Sequence, residues 1–164
     1  LVISVDKIIS LGYNTNYIIT KRKKIKMAHM NQEKKKEIAK LLKDNLKGKD
    51  IKYSLAVDNH STIVLNIRSG SVDFIDNYNK TNQDNPQYSF QNADTAKDYL
   101  SVNNYWIDEH FTGEAKEILE IANECLNLNN YNKSDPMTDY FDVGHYVDIN
   151  IGKWNKPYQL TGEK

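Results

Sequence analysis

"IKYSLAVDNHSTIVLNIRSGS", residues 51–71, decides the fold class. In its first half Ile51, Tyr53, Leu55 and Val57 alternate with Lys52, Ser54, Ala56 and Asp58. In its second half Ile63, Leu65 and Ile67 alternate with Thr62, Val64, Asn66 and Arg68. A period of two is that of a strand with one buried face. "DNHS" between the runs has the composition of a turn, so the stretch predicts an antiparallel hairpin ended by "RSGS".

Working upstream, Asn31 is placed to cap a helix through "QEKKKEIAKLLKDNLK", and Gly48 to close it in the left-handed conformation. Ile38, Leu41, Leu42, Asn45 and Leu46 form a narrow stripe opposite a lysine-rich face. Downstream, Ser71 is placed to cap a short helix carrying Val72, Ile75 and Tyr78, and "NKTNQDNPQ", 79–87, reads as a loop. "DTAKDYLSVNNYWIDEHF", 94–111, reads as helix, with Asp94 as cap, Ala96, Tyr99 and Leu100 inward, and a break expected at Asn103 and Asn104. From Thr112 and Glu114 to about Leu128, Ala115, Ile118, Leu119, Ala122, Cys125 and Leu126 make a regular inward stripe. "HYVDINI", 145–151, reads as a third strand, and "GKWNKPY" leaves it through a Gly and a Pro. The expected fold is α+β in the order α-β-β-α-α-β, a small three-stranded antiparallel sheet with helices on one side.

A chain of 164 residues suffices for one core. The expected organisation is a basic N-terminal extension, 1–29, and a single domain over 30–160. The extension opens on Leu1 and is dominated by Ile, Asn, Lys, Tyr and Val. It reads either as a poorly ordered arm or as translated AT-rich sequence upstream of a start at Met27 or Met30. Charge is balanced at 22 basic and 22 acidic side chains but unevenly placed: residues 1–53 hold 14 basic against 5 acidic, and the rest hold 8 against 17. The single cysteine, Cys125, falls on an apolar helix stripe, as a buried thiol would, and gives no disulfide framework. No run of about 18 apolar residues is present, so no membrane partner is expected and a cytoplasmic location is.

Three sets of residues could carry function. Glu114, Glu117, Glu120 and Glu124 fall on one outer arc of the last helix, with Asp108 and Glu109 ahead of them and Trp106 or Tyr105 as an aromatic anchor for a protein partner. Lys21, Arg22, Lys23, Lys24, Lys34, Lys35, Lys36 and Lys40 are a candidate phosphate-binding set, with tyrosines for base stacking. Asp139, Asp142 and His145, three apart, are the one constellation that could support a metal or acid–base role, although Gly144 and the following strand argue against a common helix face. For each set the ordinary alternative is a solvated face, a core rim or turn residues. No P-loop, Gly-rich dinucleotide turn, cysteine pair or HExxH is present, so no cofactor is expected.

"IKYSLAVDNHSTIVLNIRSGSVDF", "YWIDEHFTGEAKEIL" and "TDYFDVGHYVDINIGKWNKPY" together resemble small proteins of phages and conjugative elements in low-GC Gram-positive bacteria. The hairpin portion is similar to a domain associated with large polyvalent proteins. The resemblance spans roughly 31–158. It implies a mobile-element protein that blunts host defences, and it carries no catalytic residues with it. The function expected on these grounds is non-enzymatic counter-defence of an anti-CRISPR or antirestriction type. A host nuclease, or its nucleic-acid complex, would be bound through an acidic helix that imitates nucleic acid. The alternative is a nucleic-acid-binding accessory protein of the same elements.

Overall fold

The computed structural model describes residues 28–83, 97–135, 137 and 141–162. The first helix, α1 (Gln32–Asn45), starts as its sequence dictates. Asn31 is extended at φ −107°, and its side-chain oxygen accepts the Lys34 amide at 2.8 Å, satisfying one orphan donor of the first turn. Past its end, Gly48 takes φ +91°. Strands β1 (Ile51–Asp58) and β2 (Thr62–Gly70) form the antiparallel hairpin, closed at Asp58 and Thr62. Asn59 and His60 both turn through positive φ, a conformation that asparagine tolerates well.

The remaining elements are α2 (Phe74–Gln83), β3 (Leu100–Val102), α3 (Ile107–His110), α4 (Gly113–Leu126), β4 (Tyr146–Ile151) and β5 (Gln159–Leu160). The expectation of a three-stranded antiparallel sheet fails here. Among the described residues the sheet is five-stranded and mixed, in the order β1-β2-β4-β3, with β5 also beside β2. β4 runs parallel to β2, setting Val147, Ile149 and Ile151 beside Ile63, Leu65 and Ile67. Alternation in a sequence reports which face of a strand is buried. It carries no information on the neighbour or its direction, and a parallel pair needs only a long crossover, which α2 to α4 supply.

Residues 100–102, expected in a helix, form β3 and pair antiparallel with β4 at Leu100–Ile151 and Val102–Ile149. The helical spacing of Tyr99 and Leu100 is local, and the sheet edge outweighs it. Ala96 and the expected cap Asp94 lie outside the described residues. α2 is capped by Asp73, whose Oδ1 accepts the Asp76 amide at 2.9 Å, and not by Ser71, and it continues through residues expected to be a loop. β5 was not anticipated, because two residues carry no period. Gly152, at φ +66°, turns the chain out of β4, and Lys153 and Lys156 close a small excursion that exposes Trp154. The chain returns through Tyr158, whose amide donates to the Asp98 carbonyl at 2.8 Å, and β5 then pairs beside Ser69 and Gly70.

The core lies between the helices and one face of the sheet. Ile63, Leu65, Ile67, Ile149 and Ile151 are sealed against Ile38 and Leu42 of α1 and the stripe of α4. Each such side chain contributes about 1.5–3 kcal/mol relative to exposure. Cys125 belongs to this stripe, and burial foremost, with Glu124 second, pushes its thiol up. Met30 is buried as well, and its amide donates to the His60 carbonyl at 2.7 Å. Among the described residues no helix is long and apolar enough to cross a membrane.

Candidate functional site

β3 ends at Val102, and the chain turns away where one more rung against β4 would form. Asn104 takes the place of that rung: its Nδ2 donates to the Val147 carbonyl at 2.6 Å. On the facing side the end of α4 and the turn beyond it carry Asn123, the C-cap Asn127 and Asn130, which join through their side chains. Asn130 donates to the Asn127 side-chain oxygen at 2.9 Å, Asn127 to that of Asn123 at 3.0 Å, and Asn123 to the Asn104 carbonyl at 3.3 Å. The result is a chain of amides running from the end of α4 to the edge of β4. It floors a groove of about 760 Å³.

His145 sits at the inner end of this floor, 1% exposed. Its Nδ1 lies 3.0 Å from the Lys34 ammonium, which can only donate, so Nδ1 carries the lone pair. The proton is therefore on Nε2, which donates to the Leu126 carbonyl at 2.8 Å and satisfies an orphan acceptor at the end of α4. Asn130 grips the same residue from the backbone, accepting its amide at 2.9 Å and donating to its carbonyl at 3.0 Å. Burial foremost, with the Lys34 charge adding to it, holds the imidazole below its usual pKa against the opposing pull of the Leu126 carbonyl. Desolvation lowers the Lys34 ammonium as well. His145 is a neutral clamp between α1, α4 and β4.

Four aromatic rings stand around the groove: Tyr105, 87% exposed, Phe141, 66%, Tyr146, 49%, and Tyr131, 37%. Rings so exposed are costly to leave in water and serve as anchors at binding surfaces. Lys133 Nζ lies 5.4 Å from the Tyr131 ring centroid. The Tyr131 hydroxyl is raised, first by desolvation and then by the Asp142 carboxylate it bonds.

The residues singled out in the sequence are distributed unevenly. Tyr105 and His145 line the groove; Trp106 does not, and it packs edge-on to His110 with ring centroids 5.8 Å apart. The glutamates Glu114, Glu117, Glu120 and Glu124 are exposed along α4 as expected, with Asp108 and Glu109 exposed in α3. Their charge is partly answered within the chain: Lys49 reaches Glu114 at 3.4 Å and Glu117 at 3.1 Å, and Lys116 reaches Glu120 at 3.6 Å. Of the lysines on α1, Lys36 and Lys40 are exposed and Lys35 half-buried, while Lys34 is committed to His145. Lys21, Arg22, Lys23, Lys24 and Asp139 lie outside the described residues. Asp142 and His145 do not face one another across a shared ligand position, since His145 spends both ring nitrogens on Leu126 and Lys34. Asn104, Asn123, Asn127, Asn130 and Phe141 were missed. The one available signal was the asparagine spacing at the end of α4, which resembles ordinary helix-end chemistry.

Set against family models, curated proteins and solved structures, the chain finds no match in any of the three.

Proposed function

We propose that this protein acts by binding: it is a mobile-element-encoded counter-defence protein that inhibits a host nuclease by occupying the surface the nuclease uses for nucleic acid. The convergence of four exposed rings on one asparagine-floored groove supports a recognition surface. The mobile-element setting rests on the sequence resemblance. A nuclease presents basic surface to its substrate, and the acidic arc of α4, with Asp148 at the groove, is of the sign that such a surface attracts. Contact energy is expected to concentrate on the rings, with the glutamates setting association rate and salt dependence.

The test is phage plating on bacteria that carry a defined restriction or CRISPR nuclease, with and without the full chain, followed by cleavage by the purified nuclease. Restored plating together with blocked cleavage supports the inhibitor. The competing reading, an accessory protein that binds nucleic acid, is favoured by exposed Lys36 and Lys40 beside Lys35 on α1. It takes over if plating is unchanged while the chain binds single-stranded DNA with an affinity that falls steeply with salt.

A further inference from the structure

We propose that the groove seats an arginine side chain presented by a basic segment of the protein partner. This rests on the reading of the chain as a protein-binding inhibitor and names the chemistry its groove selects. The argument begins with where the amide protons point. Asn130 spends its Nδ2 on the Asn127 side chain and the His145 carbonyl, and Asn127 spends its own on the carbonyl and side chain of Asn123. Asn123 and Asn104 donate to the carbonyls of Asn104 and Val147. The floor thus spends both amide protons of Asn130 and Asn127, and one each of Asn123 and Asn104, on acceptors of the chain itself.

Acceptors remain. Because Asn104 Nδ2 is fixed on the Val147 carbonyl, its Oδ1 must point away, and that oxygen is sealed from solvent with no partner. Asp142, between the groove residues Phe141 and Val143, likewise keeps one buried oxygen unpartnered. Asp148 adds an exposed carboxylate at the wall, and neither lysine nor arginine is among the residues lining the groove. The Asp148 carboxylate, with no cation among the lining residues, gives the groove wall negative charge, to which the sealed oxygens nearby add without touching a ligand. The rings act in the same direction, since their faces attract cations, and Lys133 beside Tyr131 is an intramolecular instance of that contact.

A group that only donates, carries positive charge and stacks flat on tyrosine is a guanidinium. An ammonium meets the first two conditions but lacks the plane and the forked donors that engage a ring and a carboxylate together. At about 760 Å³ the groove has room for the neighbouring backbone of an extended segment.

The test is an NMR titration of the ¹⁵N-labelled full chain with the blocked peptide Gly-Ser-Arg-Ser-Gly, its lysine and citrulline counterparts, and a short oligothymidylate. The arginine peptide is expected to shift the amides of Tyr105, Tyr131, Phe141 and Tyr146, the lysine peptide to bind more weakly, and citrulline to do nothing. Asp148→Asn, an exposed substitution that leaves the core intact, should weaken the arginine peptide roughly fivefold. Equal shifts from citrulline, shifts from the oligonucleotide alone, self-association of the free chain through these residues, or no response to arginine would each overturn the proposal. Nuclease inhibition that persists without an arginine response overturns the groove assignment and leaves the inhibitor standing. An arginine response without inhibition does the reverse.

Discussion

Replacing His145 by alanine tests the clamp at the base of the groove through its pH dependence. The substitution leaves the Leu126 carbonyl without its donor, removes the acceptor of the half-buried Lys34 ammonium, and opens a void where the ring was sealed. An orphaned buried polar group costs about 1–3 kcal/mol and a void adds to it, so a loss of about 3 kcal/mol is expected at pH 8. For a chain of this size that is roughly 6–12 °C in melting temperature. His145→Gln, which can restore a donor toward Leu126, should recover part of it. The folded imidazole is held below the unfolded value of about 6.5, so the unfolded state binds a proton that the folded state refuses. The stability that neutral His145 confers is therefore full above about pH 6.5 and is lost as pH falls below it. His110, lowered by burial against the pull of Glu109 and Asp108, adds a slope of the same sign to wild type and variant alike. Urea unfolding at pH 8 and pH 5 should show the gap between wild type and His145→Ala narrowing at the lower pH. A gap that stays constant or widens would refute the neutral clamp.

Asn130→Ala removes the node that holds both backbone groups of His145 and should cost about 2 kcal/mol by chemical denaturation, while an exposed helical position such as Lys36→Ala should cost well under half of that. Gly152→Ala should destabilise by about 2 kcal/mol or more: the residue sits at φ +66°, and an added Cβ would come within 2.6 Å of the Tyr158 amide nitrogen and 2.8 Å of the Asp98 carbonyl oxygen. Limited proteolysis should then find the segment after β4 first. Glu117→Lys with Glu120→Lys should change stability by less than about 1 kcal/mol, since the pairs with Lys49 and Lys116 are exposed at the glutamate end. The same double variant should slow association with a basic nuclease, and an unchanged association rate at low salt would remove the acidic arc from the interface.

The hairpin at 51–70, the cap at Asn31 and the stripe of α4 were legible because each is a local pattern whose period or chemistry survives in any context. The neighbours of the strands were not. Val147, Ile149 and Ile151 announce a buried face, but their parallel seat beside β2 depends on a crossover whose length and direction leave no mark on the strand itself. β3 was hidden by helical spacing in its own residues, and β5 by its two-residue length. The groove was half legible. "DYFDVGHYVDINIGKWNKPY", 139–158, stood out for its aspartates, histidine and rings. In sequence its aspartates and histidine fit turn residues and a hydrogen-bonded imidazole better than a catalytic set; in the fold His145 spends its nitrogens on Leu126 and Lys34, and the rings carry the exposed surface. Asparagine was undervalued throughout, because in sequence it signals turns, and only the fold reveals that several have joined into one hydrogen-bonded floor.

The place of β4 in the sheet also governs the order in which the molecule can be assembled. Asn66 and Asn150, register partners in the parallel pair, are 84 residues apart, and β3 has β4 as its sole strand partner among the described residues. During synthesis the hairpin and α4 emerge well before the strand that joins them. Until β4 arrives, β2 keeps an unpaired edge of Ile63, Leu65 and Ile67 open to any passing chain. Closing so long a loop is slow compared with forming the helices, so the nascent protein passes through an interval in which its most apolar strand is its least protected. A chaperone, or delay at the ribosome, would act in that interval, and chain ends placed ahead of Tyr146 should yield aggregates in place of a smaller folded domain.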